Sequence, residues 1–80
     1  KEEMRVGKIN WIKYEGVERD SEVLTKIRYK DKGALSSVTQ EGGDVVVKFY
    51  GAVKGIAPGQ SAVFYEGDDV IGGGIIQRPF

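Results

Sequence analysis

Five consecutive residues, Lys26-Ile27-Arg28-Tyr29-Lys30, carry the densest usable chemistry in this chain. On a strand, alternate residues share a face, so Lys26, Arg28 and Lys30 would point one way, with Lys32 continuing the line. Thr25, Ile27 and Tyr29 would then face the core. Such a basic stripe can neutralise successive phosphates of a nucleic acid. Arg28 adds a planar fork of donors, and a Tyr29 hydroxyl can reach a phosphate or a ribose. The composition favours a plainer reading, a solvated strand face or an edge protected by lysines. Twelve basic and twelve acidic residues give a net charge of zero, unusual for a dedicated nucleic-acid binder.

Other groups offer less. In Pro58-Gly59-Gln60-Ser61, Pro presets φ at the first central position of a type II turn and Gly supplies positive φ at the second. The turn would present Gln60 at a strand start, where its amide can address a phosphate, a ribose hydroxyl or a base edge. Alternatively, Gln60 satisfies backbone groups of its own loop. Gly72-Gly73-Gly74 could form an anion nest, but a barrel corner explains it better, because no Lys follows at Walker spacing. Glu66, Asp68 and Asp69 surround Gly67 in a hairpin turn. They lack the spacing and flanking helices of an EF-hand, and a solvated turn is expected. The chain has no Cys, which excludes disulfides, thiolate metal sites and a persulfide or thiolate nucleophile. It also has no His, so the commonest general base and metal ligand are missing.

These residues need a scaffold, and its grammar is β throughout. Eighty residues make one small domain, near the size where a single core is only marginally sufficient. Twelve glycines suit turns, bulges and close backbone approaches rather than helices. Strands are expected at Met4–Ile12, Glu22–Lys30, Ala34–Gln40, Val45–Tyr50, Ser61–Tyr65 and Asp69–Ile76, with a hairpin turn at Glu41-Gly42-Gly43-Asp44. A short helical turn within Glu15–Thr25 is compatible with the pattern. Short strands at this spacing predict an all-β fold, a small antiparallel β-barrel of about six strands, whose closure removes exposed edges. Trp11, Phe49 and Phe64, with Val45, Val47, Ala62 and Ile75, are the expected interior, and Tyr14, Tyr29, Tyr50 and Tyr65 are further core candidates. No apolar run is long enough for a transmembrane helix and no signal-peptide pattern opens the chain, so a cytoplasmic location and no membrane partner are expected. A start at Lys1 rather than Met is expected of an excised fragment or a processed product.

Several segments together resemble one family. Asn10-Trp11-Ile12, Thr25-Lys26-Ile27-Arg28-Tyr29-Lys30, Ile56 to Tyr65 and Gly72 to Ile76 are similar to the corresponding stretches of the tRNA-specific 2-thiouridylases. The resemblance covers nearly the whole chain. It implies that residues 1–80 form the single C-terminal β-barrel domain of a larger tRNA-modifying enzyme, and that this barrel resembles domain two of the elongation factors. In that family, ATP adenylates the wobble uridine and a cysteine persulfide delivers sulfur. The Ser-Gly-Gly-Val-Asp-Ser loop and both catalytic cysteines lie upstream of this domain. The resemblance therefore implies no cofactor in this fragment, with ATP and magnesium bound by the parent's N-terminal domain. It implies tRNA, the remaining domains and a sulfur-relay donor protein as partners. It carries tRNA contact onto Arg28, Tyr29 and Gln60, with Lys26 and Lys30 alongside. Older naming called such proteins methyltransferases, but nothing in the residues suggests a methyl-donor site. Glycine-rich turns at Gly42-Gly43 and Gly51, and the absence of a proline near Ala34-Leu35, depart from the family pattern in loop detail. A structural barrel that packs on the parent enzyme without touching RNA is the alternative.

Overall fold

The computed structural model describes residues 2–28, 30 and 32–79. Six strands form: β1 (Glu2–Trp11), β2 (Ser21–Lys26), β3 (Ala34–Glu41), β4 (Asp44–Phe49), β5 (Ser61–Glu66) and β6 (Asp69–Pro79). All neighbours are antiparallel, and the sheet closes in the order β1-β4-β3-β2-β5-β6, with β6 returning to β1. The fold is the small antiparallel barrel that the pattern predicts. No helical turn forms among the described residues; 12–20 is an irregular connection from β1 to β2.

Alternation builds the core. Val45, Val47 and Phe49 of β4, Ala62 and Phe64 of β5, and Met4 and Val6 of β1 are all buried. Trp11 is only partly buried and packs its ring 6.4 Å from that of Phe64. In β6 the interior isoleucines are Ile71 and Ile76, not Ile75. The cause is a bulge: Val70 pairs with Tyr65 and Gly72 with Phe64, so Ile71 is skipped and the parity of the strand reverses after it. Tyr14 and Tyr50 are exposed rather than in the core. One polar pair lies inside. The buried Ser36 and Thr25 hydroxyls are 2.9 Å apart, and Ser36 Oγ donates to the Ala34 carbonyl at 2.8 Å. Because a hydroxyl carries one proton, Thr25 is the donor to Ser36, and both groups are satisfied.

The three glycines form the corner. A Cβ on Gly72 would stand 2.7 Å from the Trp11 ring, and one on Gly73 would stand 2.6 Å from the Ala62 carbonyl oxygen. Here β6 is squeezed between β1 and β5, and no side chain fits.

The topology sorts the loops into two ends. One end gathers the start of β1, the β2–β3 and β4–β5 connections and the end of β6. The other gathers residues 12–20 and the turns at Gly42-Gly43 and Gly67-Asp68.

Candidate nucleic-acid interface

At the first of these ends, β2 and β5 diverge. Lys26 pairs with Val63, and β3 begins opposite Thr25. Beyond Lys26, β2 has no neighbouring ladder on either side and the strand stops there, four residues before the expected Lys30. The inside–outside alternation persists for two residues more: Thr25 and Ile27 are buried, while Lys26 is half-buried and Arg28 exposed. Lys30 lies in a turn, and Tyr29 lies outside the described residues. The basic stripe is therefore a strand end and a loop, not a ladder.

The divergence leaves an open groove of about 480 Å³ lined by Lys26, Ile27, Arg28, Gln60, Ser61, Val63 and Tyr65. Gln60, far away in sequence, here meets Lys26 and Arg28. Lys26 Nζ stands 4.6 Å from the centroid of the Tyr65 ring, a cation–π contact that holds the ammonium at the groove wall. The Arg28 guanidinium donates to the Lys54 carbonyl and so ties the β2–β3 loop to the β4–β5 loop.

Gln60 is positioned by its turn. Gly59 takes φ +90°, and the Gln60 N–H donates to the Ala57 carbonyl at 3.3 Å, as a type II turn requires. The Gln60 side chain folds back, and its Oε1 accepts the Ala57 N–H at 3.1 Å. The loop-satisfying role thus occupies the amide oxygen. Gln60 also lines the groove.

The ends differ in charge. Lys26, Arg28, Lys30, Lys32 and Lys54 belong to the groove end. Glu15, Glu18, Asp20, Glu22, Glu66, Asp68 and Asp69 belong to the opposite end, against Lys13 and Arg19 there, while Glu2 and Glu3 at the start of β1 lie at the groove end. A net charge of zero therefore conceals an uneven distribution, with basic residues in excess at the groove end and acidic ones at the other. Chain-averaged charge could not show this, because the sorting depends on which loops share an end. Tyr65, Ser61 and Val63 are groove residues that sequence reasoning missed. The signal was available: Phe64 faces inward, so Val63 and Tyr65 must face out.

The acidic turn is not merely solvated. Lys13 Nζ bridges Glu66 at 2.9 Å and Asp69 at 3.0 Å, and the Tyr14 hydroxyl donates to Glu66 at 2.7 Å. This clamp fastens the 12–20 connection to the β5–β6 turn. Lys13 first, then the Tyr14 hydroxyl, hold the Glu66 carboxyl below its ordinary value of 4.5. The hydrogen bond from Lys13 to Glu66, then that to Asp69, raises the lysine above its usual 10.5. A lowered carboxylate contributes stability that is present above its unfolded value and lost as pH falls through its folded value. A raised lysine contributes stability that is lost only as pH rises through its folded value. Thermal midpoints of wild type and Glu66→Gln should therefore differ at neutral pH and converge below pH 4.5. A gap that persists unchanged in acid would show that the carboxylate charge does not matter here.

The profile of a family described as "Aminomethyltransferase beta-barrel domain" matches residues 1–76. The tRNA-specific 2-thiouridylase MnmA of Cytophaga hutchinsonii is 49% identical over 80 residues, 96% of this chain. Its counterpart in Amoebophilus asiaticus is 49% identical over 79 residues. That of Caldicellulosiruptor saccharolyticus is 45% identical over 71 residues, 88% of this chain. The chain spans 20–21% of the length of these relatives.

Proposed function

Because the chain belongs to the tRNA-specific 2-thiouridylase family, we propose that it is the C-terminal, tRNA-contacting barrel of an ATP-dependent enzyme that thiolates the wobble uridine. The observation that carries this reading is the groove. Lys26, Arg28 and Gln60 converge on one open groove, at the basic end of a barrel whose net charge is zero. Arg28 and Lys26 supply phosphate contacts, Lys30 extends the basic face, and the Gln60 amide donors address a ribose or a base edge. Tyr29 belongs to this proposal through the family resemblance. The barrel itself performs no chemistry. ATP, its magnesium, the sulfur-carrying cysteines and the sulfur-donor protein belong to the rest of a cytoplasmic parent enzyme, which supplies the reaction while the barrel holds the substrate.

A second reading keeps the barrel but covers this end with protein. Leu35 and Tyr50, each 51% exposed, are adjacent at the same end, with the Tyr50 N–H donating to the Leu35 carbonyl. Titration of tRNA into wild-type protein and into the Arg28→Ala/Gln60→Ala variant separates the two readings. Weaker, less salt-sensitive binding by the variant is expected. Equal binding would remove the contact assignment and leave the covered-face reading.

A further inference from the structure

The opposite, acidic end holds a second cavity, about 300 Å³, whose floor is Val17, Val23 and Ile71 and whose rim includes Glu18, Glu22 and Glu66. Its walls are held in place from several sides. The Val17 N–H donates to Gln40 Oε1 at 3.2 Å, Ser21 Oγ donates to the Glu18 carbonyl at 2.8 Å, and Tyr14 is tied to Glu66. Glu66 is occupied by Lys13 and Tyr14. Glu18 and Glu22 are exposed and form no ion pair among the described residues. An apolar slot under two uncommitted carboxylates is complementary to an apolar side chain flanked by a cation. A wall pinned by its own hydrogen bonds loses little entropy on receiving one. RNA is disfavoured, because its phosphates would face carboxylates.

We propose that this cavity docks a polypeptide segment in which an apolar residue lies beside Lys or Arg. The apolar side chain enters between Val17, Val23 and Ile71, and the cation meets Glu18 and Glu22. The barrel then has two faces of opposite task, a basic end and a protein-docking acidic end. This inference does not depend on the RNA reading, because it uses different residues at the other end.

The probe is the pentapeptide Ac-Gly-Leu-Arg-Lys-Gly-NH2, titrated into the isotope-labelled 80-residue chain and followed by amide chemical shifts. Saturable shifts confined to Val17, Val23, Ile71 and their neighbours are expected. Affinity should fall at least about tenfold in Glu18→Lys/Glu22→Lys, and several-fold when salt is raised from about 50 to about 200 mM. Both glutamates are exposed, so a native shift pattern in the variant establishes that it folds. Val17→Ser provides a second variant that removes the apolar contact and leaves the charges. The proposal is overturned if the pentapeptide leaves these resonances unmoved, or if its Leu-Glu-Glu counterpart moves them equally. It is likewise overturned if a single-stranded oligoribonucleotide shifts them, or if they shift on concentration alone, which would indicate a second copy of the chain.

Discussion

Exchanging Lys26 and Arg28 for glutamate is expected to weaken tRNA binding by more than about tenfold at about 50 mM salt, and to flatten its salt dependence. Each lost phosphate contact lowers the slope of log affinity against log salt by about 0.7–0.9. The two substitutions also place negative charge in the groove lining, so repulsion adds to the loss. Arg28 has a second task, its bond to the Lys54 carbonyl, and loosening of the β4–β5 loop could imitate a lost contact. Arg28→Lys separates these effects, because it keeps the charge and gives up the planar fork. Binding near wild type in Arg28→Lys, with strong loss in the double charge reversal, is the expected pair of results. A double reversal that binds tRNA with unchanged affinity and slope would place the RNA elsewhere. The measurement is a fluorescence titration at several salt concentrations, with circular dichroism to establish that each variant is folded.

A large loss of stability is expected at Gly73, as at Gly74, where a Cβ would stand 2.3 Å from the Gly7 carbonyl oxygen. Gly73→Ala would set a Cβ 2.6 Å from the Ala62 carbonyl oxygen, and that oxygen belongs to strand β5, which is paired to β6 through Ala62–Gly74 and Val63–Gly73. Neither backbone can retreat without breaking the ladder. A cost of about 3 kcal/mol, the upper end of overpacking, follows for such a clash. A domain of this size has on the order of 4–12 kcal/mol in all. Gly73→Val should fail to fold. Gly43 and Gly51 have no atom within 4 Å of a built Cβ and do not take positive φ, so alanine at either should leave the urea midpoint within experimental scatter. A Gly73→Ala midpoint equal to that of Gly43→Ala would sink the corner assignment.

Periodicity and turn chemistry already located all six strands, the tight turns and part of the interior, Val45, Val47, Phe49, Ala62 and Phe64, because strand alternation and Pro-Gly or Gly-Gly punctuation are local properties. Local reasoning failed where a neighbour decides. Nothing in Glu22–Lys30 reveals that β3 begins opposite Thr25 and that β5 pairs only as far as Val63, so the end of β2 was illegible. The alternation in β6 misassigned Ile75 because the bulge at Ile71 depends on pairing with β5. The clamp of Lys13 and Tyr14 on Glu66 joins residues more than fifty positions apart, and no spacing rule reaches that far.

The residue types that could meet a nucleic acid were plain from the sequence alone: Lys26, Arg28 and Lys30 in one run, and Gln60 behind a Pro-Gly turn. So was the lack of any Cys or His for chemistry. Tertiary structure decided which of these residues share a surface. Antiparallel closure places the end of β2 beside the start of β5, and Lys26, Arg28 and Gln60 meet across that seam. The same closure collects carboxylates at the far end, and a chain of zero net charge becomes a barrel with a basic and an acidic pole. Charge along a chain is a sum, whereas a field depends on position, and only the fold assigns positions.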